Sequence, residues 1–213
     1  MPHTDADKWN EIYRAGKHGG RQACQVLTDY IHLLPCTGTA LDLACGMGGN
    51  AILLTGHGLA TSAWDISSAA ITTLDAFIKD QELPVRTRVV DVVKDPPPGD
   101  SFDVIVVSRF LERQLIPDIK KAIRANGLIF YQTYTRNRVD AKGPKNPDYL
   151  LEDNELLQLF HDFQILAYRE EGTTGDVDKG FRNEAMLVAQ KQAKRLRISP
   201  RLDTGFCSAI TPF

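Results

Sequence analysis

The stretch ALDLACGMGGNAILLTGHG, residues 40–58, constrains the fold more than any other part of the chain. An apolar run reaches an acid, Asp42, passes through Gly46, Gly48 and Gly49, and then turns amphipathic. A strand, a glycine turn and a helix in that order put bare amides at a helix N-terminus, where a ligand can approach closely. A tight strand-to-helix turn with no ligand fits the same residues, so the surroundings have to decide.

Those surroundings alternate between strand-length and helix-length segments. Apolar runs near 39–44, 60–65, 85–91, 103–108 and 127–134 read as strands. Ala51, Leu53, Leu54 and Leu59 suit a short helix after the glycines. SSAAITTLDAFIKDQ supplies a second, capped by Ser67 or Ser68, with Ala70, Ile71, Leu74 and Ile78 at helical spacing. LIPDIKKAIRANG is a third, ended by Gly127 after Asn126, and 153–161 a fourth. Two late strands near 163–169 and 182–190 are joined by the turn-rich EEGTTGDVDKG, which predicts an antiparallel hairpin. Such a pattern is that of an α/β chain with a parallel sheet flanked by helices, its last strand reversed.

Length and composition set the bounds. A chain of 213 residues that is 43% hydrophobic can bury one sizeable core. The 36–190 region carries the alternation, and 1–35, with amphipathic stretches near 7–15 and 22–34, reads as a helical lid segment of the same domain. Residues 191–213 are basic and proline-broken, expected to be a flexible tail, with an arm that contacts a partner as the alternative. A net charge of −2 gives no electrostatic case for a nucleic-acid partner. No run approaches the roughly 20 apolar residues of a membrane span, and the polar N-terminus is unlike a signal peptide, so a cytoplasmic monomer or homodimer is expected. Cys24, Cys36, Cys45 and Cys207 show neither a CxxC pair nor metal-ligand spacing, so they are expected as reduced thiols and no metal site is expected.

The order Asp42-Leu43-Ala44-Cys45-Gly46-Met47-Gly48 differs from the G-x-G-x-x-G of dinucleotide loops. An acid so close to the loop would repel a diphosphate but suits a cationic ligand with an amino group. The next strand ends in Asp65, where an acid can accept both hydroxyls of a ribose, and the third ends at Asp91. Three acids on successive strand ends define one crevice.

LDLACGMGGNA, AWDIS, RVVD and FDVIVVSRFLER resemble the successive motifs of the class I S-adenosylmethionine-dependent methyltransferases, nearest to bacterial small-molecule enzymes of the tellurite-resistance type. The resemblance covers about residues 5–190. It implies a Rossmann-like, doubly wound, mostly parallel seven-stranded sheet with helices on both faces. Its cofactor would be S-adenosylmethionine, and its reaction in-line methyl transfer to a small acceptor: a thiol, a chalcogen oxyanion or a small acid. Carried over, the pattern gives Asp42 to the loop and methionine-amine region, with Gly46 and Gly48 for close backbone approach and Ala44, Cys45 and Asn50 in the same loop. Asp65 would take the ribose hydroxyls beside Ile66, Asp91 the adenine amine, and Val92 the adenine edge, with Ser108 at the fourth strand's end. Ala44 stands where the family has its first glycine, which implies a slightly tighter loop. KWNEIY resembles the segment that closes over the methionine end, making Trp9 and Tyr13 lid candidates, against an ordinary docked helix face.

Methyl transfer from a sulfonium mainly needs a positioned nucleophile. A hydroxyl or amine acceptor would also need a base, whereas a thiolate or oxyanion would not. Arg109, at the fourth strand's carboxyl end, could hold an anionic acceptor, or it could pair with Glu112 or Glu11. Tyr131, Tyr134, Asn146 and Tyr149 could line the acceptor pocket, or serve core packing and loop fastening, and the polar 135–150 segment reads as its cover. NPDY resembles an amino-methyltransferase signature but lies after the wrong strand. An RNA or protein methyltransferase docking through the tail, and a binding protein without turnover, are the alternatives.

Overall fold

The computed structural model describes residues 4–16 and 20–193. The strands are β1 (Thr39–Leu43), β2 (Ala60–Asp65), β3 (Arg86–Val89), β4 (Phe102–Ser108), β5 (Ile123–Tyr134), β6 (Gln164–Arg169) and β7 (Glu184–Gln190). They form one seven-stranded sheet in the order β3-β2-β1-β4-β5-β7-β6. Neighbours from β3 through β5 pair in parallel, and β7 is antiparallel to both β5 and β6. The reversed last strand is thus where the turn-rich link predicts it.

Alternation along each strand sorts side chains onto two faces. Leu41, Leu43, Ile105, Ile129 and Leu187 share one core with Ile116 and Ile119 of α5 (Ile116–Ala122) and Leu156 of α6 (Glu155–Leu159). On the other face Ala40, Val104, Val106, Phe130 and Val188 lie with Val26 and Leu27 of α2 (Gln25–Asp29) and Leu54 of α3 (Gly49–Gly56). Ala51 of α3 and Ile71, Leu74 and Ile78 of α4 (Ser68–Asp80) complete that side around Ala63. Full burial of a Phe or Leu side chain contributes about 1.5–3 kcal/mol. α1 (Asp5–Arg14), opened by a Thr4–Asp7 capping box, buries no residue. Among the described residues no helix is long and apolar enough to cross a membrane.

The sequence overextends several elements. The third helix stops at Ala122, not near Gly127, because Ile123 pairs with Phe102 and Asn126 donates its amide to the Lys191 carbonyl at 2.8 Å. Gly127 serves the sheet rather than a helix end: a Cβ there would lie 2.9 Å from the Asp103 carbonyl oxygen. The third strand ends at Val89, two residues short of Asp91, and the fourth helix shrinks from 153–161 to Glu155–Leu159.

One sheet face changes character at its carboxyl edge. The apolar series Ala40, then Val104 and Val106, then Leu128 and Phe130, then Val188 and Met186 continue into Asp42, Ser108, Gln132 and Glu184. Asp65 ends the neighbouring series through Ala63. A polar row therefore crosses the sheet beneath α2 and α3.

Gly49, the first residue of α3, lies against the segment before α2: a Cβ there would stand 2.5 Å from the Gln22 carbonyl oxygen and 2.9 Å from the Ala23 amide. Helix propensity alone would make Gly49→Ala stabilising by about 1 kcal/mol. The backbone clash should reverse the sign and cost about 1–3 kcal/mol, read by denaturant unfolding. A stabilised variant would show that the 20–24 segment yields freely.

Candidate active site

Three of five loop residues are left-handed: Ala44 at φ +56°, Gly46 at +52° and Gly48 at +75°. The loop is held from beneath by acids. Asp42, fully buried, accepts the Ala51 amide at 3.0 Å and the Asn50 side-chain amide at 3.1 Å, so its carboxylate fastens the start of α3. Burial pushes its pKa up to about 7 despite both bonds. Asn50 also donates to the Ser108 hydroxyl at 3.1 Å and accepts the Cys24 amide at 2.8 Å. Asp65 accepts the Gly46 amide and the Ser67 amide, each at 2.8 Å, with its pKa raised by burial. The Cys45 amide reaches the Trp64 carbonyl at 2.9 Å, and its buried thiol is raised well above the ordinary value by burial.

Asp42 and Asp65 thus meet at one loop. Asp91 lies in the turn after β3, next to Val90, whose amide donates to the Asp65 carbonyl at 2.8 Å; it accepts the Val93 amide at 3.2 Å and pairs with Lys94 at 2.8 Å. The Lys94 hydrogen bond holds its pKa below the usual range. Val92 is buried in the cluster that contains Trp64 and Leu111, and Ile66 is half-buried beside Asp65.

The N-terminal helix lies across this loop. Asn10 accepts the Ser67 hydroxyl at 2.8 Å, the Ala69 amide at 3.0 Å and the Ser68 hydroxyl at 3.3 Å, which joins α1 to the N-terminus of α4. The Tyr13 hydroxyl sits over Gly46, where a Cβ would run into it. Burial, then the charge of Asp65, raises the Tyr13 pKa. Trp9 lies 6.2 Å from Tyr13 between ring centroids, and Lys8 stands over both Trp9 (5.7 Å) and Tyr149 (5.5 Å). Sequence reasoning missed Asn10, because a polar residue on an amphipathic helix carries no sign of what it caps. It also missed Arg21, which donates to the Met47 carbonyl at 3.0 Å and lies 3.8 Å over the Phe77 ring.

Beyond the loop, at the carboxyl edge of β4 and β5, a cavity of about 560 Å³ is lined by Cys24, Thr28, Arg109, Gln132, Arg182 and Glu184 among others. Arg109 is left-handed at φ +53°, with its amide on the Gln132 carbonyl at 2.7 Å. Its Nε donates to Glu184 at 3.1 Å, so its ion-pair partner is neither Glu112 nor Glu11. Glu112 instead accepts the Gln114 amide at 3.1 Å. Arg182 is spent on carbonyls, including those of Gly172 at 2.9 Å and Asp176 at 2.8 Å. Tyr134 is half-buried opposite Glu184 in the β5–β7 register. Burial raises its pKa against the pull of Arg109.

Asn146 and Tyr149 lie in the 135–150 segment and not in the cavity lining. Asn146 accepts the Asp148 amide at 3.0 Å, and Tyr149 meets Lys8 of α1. That segment is fastened at both ends. Asn183 accepts the Val139 amide at 2.8 Å, and Arg113 donates to the Asp148 and Leu150 carbonyls at 2.5 and 3.0 Å. Cys24, Gln132 and Glu184 are functional candidates the sequence did not single out. The described residues contain no group of three or more His, Cys, Asp or Glu able to hold a metal, and Cys24, Cys36 and Cys45 are free thiols. Cys207 and most of the basic tail lie outside the described residues.

Sheet order, reversed β7 and the glycine loop between β1 and α3 together define the fold of the class I methyltransferases. The chain belongs to the family described as tellurite resistance protein TehB, whose model matches residues 18–186. A curated relative from Haemophilus influenzae, named as a probable S-adenosyl-L-methionine-dependent methyltransferase TehB, is 27% identical over 142 residues, covering 64% of this chain and 49% of its own. A protein of Eikenella corrodens named Hemagglutinin 1 is 26% identical over 161 residues, 72% of this chain and 53% of that one. The chain spans about half the length of these curated relatives. The crystal structure of TehB from Haemophilus influenzae superposes with a TM-score of 0.65 at 23% identity, covering 86% of this chain and 67% of that one.

Two outcomes follow from the loop. Unfolded Asp42 releases its proton near pH 3.9, and native Asp42 near 7. Between those values the native state holds more protons, so this group's contribution to stability is fully present below about pH 4 and is lost as pH rises through 7. Melting temperature across pH 5–8 should therefore decline more steeply in the wild type than in Asp42→Asn; parallel profiles would refute this. Ala44→Gly should stabilise by about 0.5–1 kcal/mol, because a left-handed alanine costs about 1–2 kcal/mol and glycine returns only part of that as entropy. Unchanged or lowered stability would mean that the loop does not strain Ala44.

Proposed function

We propose that this chain is an S-adenosylmethionine-dependent methyltransferase that acts on a small, polar acceptor. The observation that carries the reading is the Asp65-held glycine loop with Tyr13 above it and a separate polar cavity around Arg109 at the same sheet edge. Family membership supports it.

The residues present fit that cofactor. At Gly46 and Gly48 side chains are excluded: a Cβ at Gly48 would lie 2.5 Å from Leu74. The loop backbone is therefore bare where a ligand must come close. Asp65 engages two amides, leaving about half of a carboxylate's roughly four acceptor sites for ribose hydroxyls. Asp42, held on α3, contributes negative potential next to a cationic ligand rather than a direct bond. Asp91 would take the adenine amine and the Val92 backbone the adenine edge, with Ile66 beside the ribose. Bound S-adenosylmethionine supplies a methyl on a sulfonium that leaves without acid assistance.

The remaining work falls to the protein: excluding water and holding the acceptor. α1 and the 135–150 cover meet through Lys8 and Tyr149 on the outside of the crevice. The Cys24 thiol, its pKa pushed up to about 12 by burial, stays protonated and is not the group that attacks. Among the described residues no unpaired base lines the cavity, since Glu184 is bound to Arg109 and Gln132. An acceptor that needs no base, such as a thiolate or an oxyanion, therefore suits it. Arg109 would bind the anionic part.

S-adenosylhomocysteine should bind in calorimetry while NAD does not, and Asp65→Ala should weaken it by about 10–100-fold, the worth of charged hydrogen bonds of about 1.5–3 kcal/mol. NAD binding without a response to S-adenosylhomocysteine would overturn the cofactor reading. Transfer of labelled methyl to thiols, selenite, tellurite, small acids and bulk RNA tests the acceptor. Label in a small anion, with KM raised in Arg109→Ala and cofactor affinity kept, supports the proposal; label in RNA alone refutes it.

A further inference from the structure

We propose that Gln132 is a positioning residue for Arg109, acting through Glu184 to aim the guanidinium's terminal nitrogens into the cavity. The inference rests on the methyltransferase reading for its purpose, since Arg109 would there hold the acceptor.

The geometry forms a closed chain of named atoms. Arg109 Nε donates to Glu184 Oε1 at 3.1 Å, and Glu184 Oε2 accepts from Gln132 Nε2. Gln132 Oε1 accepts the Val26 amide of α2 at 2.8 Å, and the Gln132 carbonyl accepts the Arg109 amide at 2.7 Å. Gln132 therefore holds Arg109 twice, once through the backbone and once through the carboxylate. Its own orientation is forced, because Val26 offers only a donor and Glu184 only acceptors. A flipped amide would break both bonds.

Glu184 is not free to serve the acceptor itself. Its side chain is only 9% exposed and both oxygens are engaged. Arg109, at 53%, reaches the cavity, and among the described residues its Nη1 and Nη2 have no partner. Fixing a guanidinium through Nε alone leaves the Nη1–Nη2 edge as a pre-oriented fork for two oxygen atoms. Without Gln132, Glu184 Oε2 becomes a buried acceptor lacking its donor, and the carboxylate must turn or admit water. Arg109 would then keep its charge but lose its aim.

Arginine Nε–H exchange, followed by nitrogen-15 NMR of arginine-labelled protein, reads this directly. One slowly exchanging signal, identified by its loss in Arg109→Lys, is expected in the wild type. Gln132→Met should speed its exchange by about tenfold or more, the worth of a charge-assisted hydrogen bond. Glu184→Gln, which removes the carboxylate itself, should do at least as much. S-adenosylhomocysteine affinity should stay within about threefold in Gln132→Met, because Asn50 still holds Ser108 and the start of α2. If Gln132→Met does not fold, Gln132→Leu removes the donor to Glu184 without adding a charge beside it. An unchanged Arg109 signal in a folded Gln132 variant overturns the inference, and so does loss of cofactor affinity in step with the signal, which would mark a purely structural role. Failure of the wild type to bind S-adenosylhomocysteine would instead sink the methyltransferase reading, and the exchange data would still decide whether Gln132 holds Arg109.

Discussion

A fully buried carboxylate, Asp42, is the interaction on which the site depends. Burying an ionisable acid is costly unless it is richly hydrogen-bonded. Here the compensation comes from the first turn of α3, through the Ala51 amide and the Asn50 side chain. Asn50, drawn in for that purpose, gives its second N–H to Ser108 of β4 and accepts the Cys24 amide at the start of α2 on its carbonyl oxygen. One acid thus fixes the direction of α3, the end of β4 and the seat of α2. Acidity at that position is tied to the fold before any ligand is considered.

A second amide repeats the device on the acceptor side. Gln132 stands on the same sheet face as Asp42, two strands away, and likewise joins a carboxylate to an α2 amide. The two ends of α2's first turn are therefore clamped by Asn50 from the loop and by Gln132 from the cavity. A five-residue helix has little stability of its own. Its place is set by Val26 and Leu27 beneath and by these two amides at its start.

What the sequence made legible follows from distance along the chain. The strands, the glycine loop and the Asp42 and Asp65 positions are local patterns, each read from a dozen contiguous residues, and the sheet and reversed last strand stand where they point. Element ends were less legible: IRANG looks like a helix end until Phe102 and Lys191, far away in the chain, pair with it. The Arg109 partner was illegible for the same reason. Glu112 and Glu11 were visible as candidates, but Glu184 lies 75 residues on and becomes adjacent only because β7 inserts between β5 and β6. A usable sign did exist in the period-two reading of the strands. Gln132 and Glu184 fall on positions whose neighbours two residues inward, Phe130 and Met186, are apolar and buried. A polar residue continuing an apolar face at the sheet edge where the parallel strands end marks the site edge.

α1 stands outside that logic and shows what it costs to close a crevice with polar contacts. Ten residues are too few for a stable isolated helix, and this one buries no residue fully, Ala6, Ile12 and Tyr13 being half-buried, so only a small hydrophobic term holds it down. Among the described residues its attachments include Asn10 on the α4 N-terminus, Tyr13 over Gly46 and Lys8 against Tyr149. Two of these partners belong to the loop region: Ser67 donates its amide to Asp65, and Gly46 is in the loop itself. Net gains of about 0.5–1.5 kcal/mol per hydrogen bond are close to the cost of ordering a few residues. The contacts of α1 with α4, Gly46 and Tyr149 are therefore of small net free energy. Any ligand that touched both Gly46 and Tyr13 would add its binding energy to that balance.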